Sequence, residues 1–153
     1  MIVDSANVHN VEFPQTPIIY SVCTERKSTI LFYQISSYSS DNISSFSAWA
    51  NDEGYSQVFV GQLSTFASEG DLVIAYSGSG NSDNIINGIK YAKSIGCDTV
   101  GITGDYKGMG GGKLAKIADL AIIVPSTSME RIEDIQLIIN HIIKEAVKSE
   151  KVL

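Results

Sequence analysis

Three short apolar runs stand out in the C-terminal two thirds of the chain: Leu72–Tyr76 (LVIAY), Thr99–Thr103 (TVGIT) and Leu120–Val124 (LAIIV). None alternates strictly between apolar and polar positions, which is the pattern of strands covered on both faces. Between the first two, apolar residues recur at helical spacing from Ser82 to Ile95. Ile85, Ile86, Ile89, Ala92 and Ile95 form the buried stripe, and Gly96 is placed to end the helix. Gly88 inside it costs about 1 kcal/mol against alanine, which points to tight packing on the sheet. A shorter helix, Lys113 to Ala118, joins the second and third strands. From Met129 the segment MERIEDIQLIINHIIKEAVKSEK forms a long helix, apolar over more than half its circumference. Such breadth predicts burial against a partner chain as well as its own sheet.

Strands that alternate with helices imply parallel pairing through right-handed crossovers, hence an α/β fold with an open, mostly parallel sheet flanked by helices. Upstream, STILFYQI (Ser28–Ile35) is a further expected strand, NISSFSAWANDEGY a short helix and turn, and SQVFVGQLSTFAS an amphipathic helix closed by Glu69-Gly70. PIIYSVC (Pro17–Cys23) is also strand-like, but only TERK separates it from Ser28. A parallel crossover takes about ten or more residues. The two segments therefore form a hairpin, or one of them is not a strand. No repeat or low-complexity linker interrupts the chain, so residues 1–153 are expected to form a single domain.

Composition narrows the class. A length of 153 residues with 44% hydrophobic and 18% charged content suits one globular domain with a real core. The net charge of −6 leaves no basic face for nucleic acid. No run approaches the roughly 18 apolar residues of a membrane span. MIVDSANVHN lacks the basic region and long apolar stretch of a signal peptide, so a cytoplasmic protein is expected. Cys23 and Cys97 show no metal or redox spacing and are expected to be buried thiols.

The candidate chemistry begins where LVIAY ends. SGSGNS (Ser77–Ser82) follows a strand and opens a helix. Backbone N–H groups at such a junction lack intrahelical partners and the helix dipole is positive there, so an anion is favoured. Gly78 and Gly80 would let the main chain approach a ligand, Ser77, Ser79 and Ser82 would offer hydroxyl donors, and Asn81 completes the loop. The plainer alternative is a serine-rich tight turn in which Asn81 or Ser82 caps the helix. The GxxxxGK[ST] and GxGxxG fingerprints are both absent.

GDLVIAYSGSGNSDNIINGIKYAKSIG, TVGITGD, GGKLAKIADLAIIVP and MERIEDIQLIINHIIKEA together resemble the sugar isomerase (SIS) domain, of flavodoxin-like or Rossmann-like architecture. The nearest branch is the phosphoheptose isomerases, which convert sedoheptulose 7-phosphate to a heptose phosphate. The resemblance runs from about Ile30 to Val147 and includes the ANDEGY turn (Ala50–Tyr55). It implies a five-stranded parallel sheet, a homo-oligomer (a tetramer in that family, so a dimer or tetramer here) and active sites at subunit interfaces. It also implies that Ser77, Gly78, Ser79, Gly80, Asn81 and Ser82 hold the sugar phosphate, with Asn51 and Asp52 near the sugar hydroxyls. Asp83, in the first helical turn, complements the dipole but competes with an incoming phosphate.

Aldose–ketose isomerisation moves a proton between adjacent carbons through an enediol and needs a base, an acid and often a cation. The resemblance assigns the functional histidine of the last helix to His141, and places Glu133 where the family carries a glutamine metal ligand. Catalytic and zinc-binding roles for both follow from it, although eight helical residues span about 12 Å and Glu133 as a solvated charge is an equal alternative. At the front, the family's Asn-Gly-Gly-Ser loop and His/Glu helix have no counterpart. His9 and Glu12, three apart, are either a shortened remnant of that metal-binding element or part of an unrelated tail, and residues 1–28 form a divergent segment. GDYKGMGGGKLA (Gly104–Ala115) either closes over a ligand with Lys107 or Lys113 near phosphate, or is a flexible connection. Two functions stand against each other: a phosphosugar isomerase, and a non-catalytic SIS module that binds a phosphosugar or a regulatory or assembly partner. A generic nucleotide-binding domain ranks below both.

Overall fold

The computed structural model describes residues 19–24 and 43–150. Among these, four strands form one parallel sheet in the order β1-β2-β3-β4: β1 (Ile19–Thr24), β2 (Leu72–Ser77), β3 (Asp98–Gly104) and β4 (Leu120–Val124). Leu72 pairs with Ile19 on one side and Asp98 on the other, and Val100 with Leu120. The expected strand Ser28–Ile35 lies outside the described residues, as do His9 and Glu12. The helices are α1 (Ile43–Asp52), α2 (Val58–Phe66), α3 (Asp83–Ser94), α4 (Leu114–Ile117) and α5 (Met129–Glu150), with a 3-10 turn at Tyr55–Gln57 before α2 and another at Tyr106–Gly108.

Strand order decides where the helices go. When each strand lies beside its predecessor and every crossover is right-handed, all connecting helices fall on one face. The packing follows that rule. Val73 and Ala75 of β2 join Val58, Phe59 and Leu63 of α2, Ile85, Ile86, Ile89 and Ala92 of α3, and Leu114 of α4 in one core. Ile74 and Tyr76, pointing the other way, join Ile102, with Ile139 and Ile143 of α5 packed over them. Both sides of β2 are thus buried, and LVIAY shows no alternation for that reason. Among the described residues, only α5 covers the second face.

The predicted stripe of α3 is the buried one: Ile85, Ile89 and Ala92 are each at most 1% exposed. Gly96, at φ 85, ends the helix in the left-handed conformation that glycine adopts without penalty. Gly88 does not face the sheet. A Cβ there would sit 3.2 Å from Phe59 Cβ, so this glycine lets α2 approach α3. Glu69-Gly70 does not close α2 either, because the helix ends earlier, at Phe66, and Ser68 N–H then donates to Asp71 Oδ2 at 2.8 Å. Cys97 is buried as expected.

α5 runs back along the sheet from the C-terminal ends of the strands. Ile132, fully buried, rests on Gly104, where a Cβ would lie 2.3 Å from the isoleucine side chain. One turn on, Gln136 Nε2 donates to the Ile102 carbonyl at 2.8 Å. A further turn on, the Tyr76 hydroxyl donates to Asn140 Oδ1 at 3.3 Å. Gln136 and Asn140 therefore face the sheet. They fasten the helix to it and do not line a cleft.

Two outcomes follow from this packing. Gly104→Ala is expected to destabilise the fold by about 1–3 kcal/mol through overpacking against Ile132, read as a lower urea midpoint; an unchanged midpoint would show that α5 is not seated there. Burial, with Asp71 and Asp98 nearby, pushes the Cys97 thiol up to about 11. The folded state then holds its proton more tightly than the unfolded one. Stability is full below the thiol's ordinary range and falls as the pH climbs from there through about 11. Peptide mapping after iodoacetamide at pH 8 should find Cys97 unmodified in the folded protein and alkylated in urea.

Candidate functional site

The C-terminal ends of β2 and β3 carry two small-residue loops, and the site is built from their contact. Ser77, the last residue of β2, is 1% exposed, and its Oγ accepts the Gly80 N–H at 3.1 Å. Ser79 Oγ accepts the Asn81 N–H at 3.3 Å. A hydroxyl has one donor and two acceptor sites. Each serine therefore shapes the loop by accepting and keeps its own proton to donate. Ser82 stands at the N-cap position of α3 but makes no side-chain capping bond, so its hydroxyl is not committed to the helix. The helix amides and this run of hydroxyls make a donor-rich, side-chain-poor surface, suited to a phosphate ester.

The second loop, Gly108–Lys113, is not a free connection. It clamps the first. Leu114 N–H donates to the Gly80 carbonyl at 2.9 Å, and Gly104 N–H to the Gly78 carbonyl at 3.1 Å. The Asn81 amide bridges both loops: Nδ2 donates to the Ser79 carbonyl at 2.9 Å and to Met109 Sδ at 3.6 Å, while Oδ1 accepts the Lys113 N–H at 3.1 Å. Lys107 holds its ammonium 5.0 Å from the Tyr106 ring centre, and the Lys113 side chain is exposed. Gly80, at φ 65, would place a Cβ 2.0 Å from the Gly111 carbonyl oxygen and 2.7 Å from Thr103 Oγ1. Its missing side chain therefore admits the neighbouring loop. Two buried polar atoms beside the loop, Thr103 Oγ1 and Asn84 Nδ2, have no hydrogen-bond partner.

The remaining sequence-derived residues are distributed around this centre. Asn51 and Asp52 end α1, exposed, with Asn51 Nδ2 donating to Asp52 Oδ1 at 2.8 Å. The turn after them is tied to α3 by a bond from Asn87 Nδ2 to the Ser56 carbonyl at 3.2 Å, about one helical turn past the serine loop. Asp83 is exposed in the first turn of α3. Glu133 and His141 are both exposed on α5, Glu133 flanking the Ile132–Gln136–Asn140 row and His141 turned away from it. Glu133 is near the strand ends that carry the loops, and His141 is about 12 Å further along the helix. His141 shares a shallow groove with Ile138, Ile142, Glu145 and Ala146. Within one chain the two side chains do not meet at the serine loop. Among the described residues no three His, Cys, Asp or Glu side chains cluster to hold a metal ion.

A strand, a serine-glycine loop and a helix in this arrangement have known counterparts. The SIS domain profile matches residues 26–104, which is more than half of the chain. The chain belongs to the SIS domain family. Among relatives, the phosphoheptose isomerase of Aliarcobacter butzleri (strain RM4018) is 40% identical over 107 residues, 70% of this chain and 54% of that protein. The phosphoheptose isomerase of Sulfurimonas denitrificans is 43% identical over 107 residues, 70% of this chain and 53% of that one. The structure of phosphoheptose isomerase GmhA from Neisseria gonorrhoeae superposes with a TM-score of 0.67 at 28% identity, covering 71% of this chain and 59% of that one. This SIS chain thus spans about half the length of the curated relatives it matches.

What sequence reasoning missed is the clamp. The run of glycines from Gly108 to Gly112 signalled an unusual backbone, and Gly108, Gly110, Gly111 and Gly112 all have positive φ, but their partner lies about thirty residues away in the sequence. Because Ser82 Oγ caps nothing, Ser82→Ala should leave the unfolding free energy within about 0.5 kcal/mol of wild type. A loss of about 1 kcal/mol or more in a denaturant titration would show that the hydroxyl serves the helix.

Proposed function

We propose that this SIS domain binds a phosphorylated sugar at Ser77–Ser82 and is the phosphate-binding part of an isomerase of phosphoheptose type. The observation that carries the reading is the donor-rich loop itself: serines that accept hydrogen bonds from within yet retain their protons, at the amide end of α3. The similarity to phosphoheptose isomerases supports a heptose phosphate as the ester, and sedoheptulose 7-phosphate is the substrate in this reading. Asn51 and Asp52 serve the sugar hydroxyls beside the loop. In the same reading the chain is cytoplasmic.

In this reading the chain works as a homo-oligomer. Ile138 and Ile142 on the outer side of α5 are 55% and 62% exposed, and Leu120 on the edge strand is 57% exposed, an apolar surface that a second copy would cover. Such an interface would bring His141 of one copy toward the loop of another. There His141 acts as the acid or base that moves the proton between carbon and oxygen, with Glu133 as its acidic companion. Zinc bound through these two side chains, together with His9 and Glu12, belongs to the same proposal and is tested by metal analysis of the purified protein.

A second reading is a non-catalytic phosphosugar-binding module. It is favoured by the exposure of His141 and Glu133 on α5, where a single chain keeps them from the loop.

Incubation with sedoheptulose 7-phosphate separates the two readings. The isomerase reading expects turnover that His141→Ala abolishes while affinity persists. Binding without product in the assembled protein, at any zinc loading, would favour the module. In both, Ser82→Ala should weaken the affinity for the ester about ten- to a hundredfold, the cost of one hydrogen bond to a charged group. Unchanged affinity would remove the loop from the site.

A further inference from the structure

We infer that Asn81 is a positioning residue, which with the Gly108–Lys113 loop holds the serine loop in its binding shape and does not itself contact the phosphate. The inference rests on the phosphosugar reading of the serine loop and assigns that site a second, non-contacting layer.

A carboxamide has two N–H donors, and only donors can serve a phosphate. The Asn81 N–H groups already meet the Ser79 carbonyl at 2.9 Å and Met109 Sδ at 3.6 Å. Its oxygen accepts the Lys113 N–H at 3.1 Å. To reach an ester, the amide would have to abandon a bond that fixes the loop. Ser77 and Ser79 are in the opposite condition, because each accepts one N–H and keeps its proton.

Steric fit adds a second line. Gly112, at φ 66, would place a Cβ 2.5 Å from the Ser79 carbonyl oxygen and 2.7 Å from Asn81 Nδ2. Thr103 stands between the loops: its Oγ1 is 2.7 Å from the Cβ position of Gly80, and its methyl is 2.9 Å from that of Gly111. Thr103 is fully buried, so it cannot yield toward solvent. Main chain therefore rests on main chain at Gly80 and Gly112, with the Asn81 amide as the cross-link. A loop of serine and glycine has little intrinsic stiffness and would lose conformational entropy on gripping an ester. Fixing it beforehand removes that cost from binding.

Two variants test this. Asn81→Ala removes the cross-link. Gly112→Ala disturbs it from the other loop, so its effect on binding is transmitted through the contact between loops. In the ligand-free protein, amide hydrogen exchange at Gly80, Lys113 and Leu114 should accelerate at least tenfold in both variants, while exchange in β2 and β3 stays protected. The KM for sedoheptulose 7-phosphate, and the Kd by calorimetry, should then rise about tenfold, with kcat at saturation held within twofold. Lost affinity with loop protection intact would make Asn81 a direct contact and overturn the inference. Lost protection with affinity unchanged would overturn it equally. The exchange arm needs no ligand, so a wild-type protein that shows the clamp but binds no sedoheptulose 7-phosphate contradicts the phosphosugar reading while upholding the clamp.

Discussion

Main chain meets main chain at the C-terminal ends of β2 and β3, and the rest of the site depends on that approach. Gly80 and Gly112 are the points at which no side chain fits. With the two loops joined there, the serine loop has one shape, and the amide end of α3 points to one place. The parallel register supplies the foundation, because pairing of Ser77 with Thr103 brings both loops to the same edge. A ligand meeting this edge finds donors already arranged, as expected where oriented amides receive an anion.

In the proposed function, catalysis is not complete at that edge, and the sheet's topology bears on why. Among the described residues, sequential strand order sends α1 to α4 to one face and leaves the other to α5 alone. One helix cannot cover four strands, and it turns Gln136 and Asn140 inward to hold its place. Glu133 and His141 are exposed on it. Apolar side chains are exposed on its outer side and on β4, and in the proposed function a second copy covers them and the chemistry waits on that assembly. No helix among the described residues is long and apolar enough to cross a membrane.

Much of this was legible in the residues. LVIAY, TVGIT and LAIIV are strands because unbroken apolar runs suit a sheet covered on both faces, and α3 carries the periodicity and terminal glycine of a helix. The serine loop declared itself by its place between strand and helix. Other features depend on contacts distant in sequence. Nothing local to Gly88 distinguishes packing on α2 from packing on the sheet. Gln136 and Asn140 are polar residues on a buried helix face, and only their partners, the Ile102 carbonyl and the Tyr76 hydroxyl, explain it. GMGGG resembles a slack linker until Asn81 and Thr103 are placed against it.

In the proposed function the loop after β2 receives the phosphate. Amide chemical shifts followed by NMR during titration with sedoheptulose 7-phosphate test it most directly. The largest saturable movements should fall on Gly78 to Asn84, with smaller ones on Gly111 to Leu114. A saturable response centred elsewhere, with Gly78 to Asn84 unmoved, would contradict it.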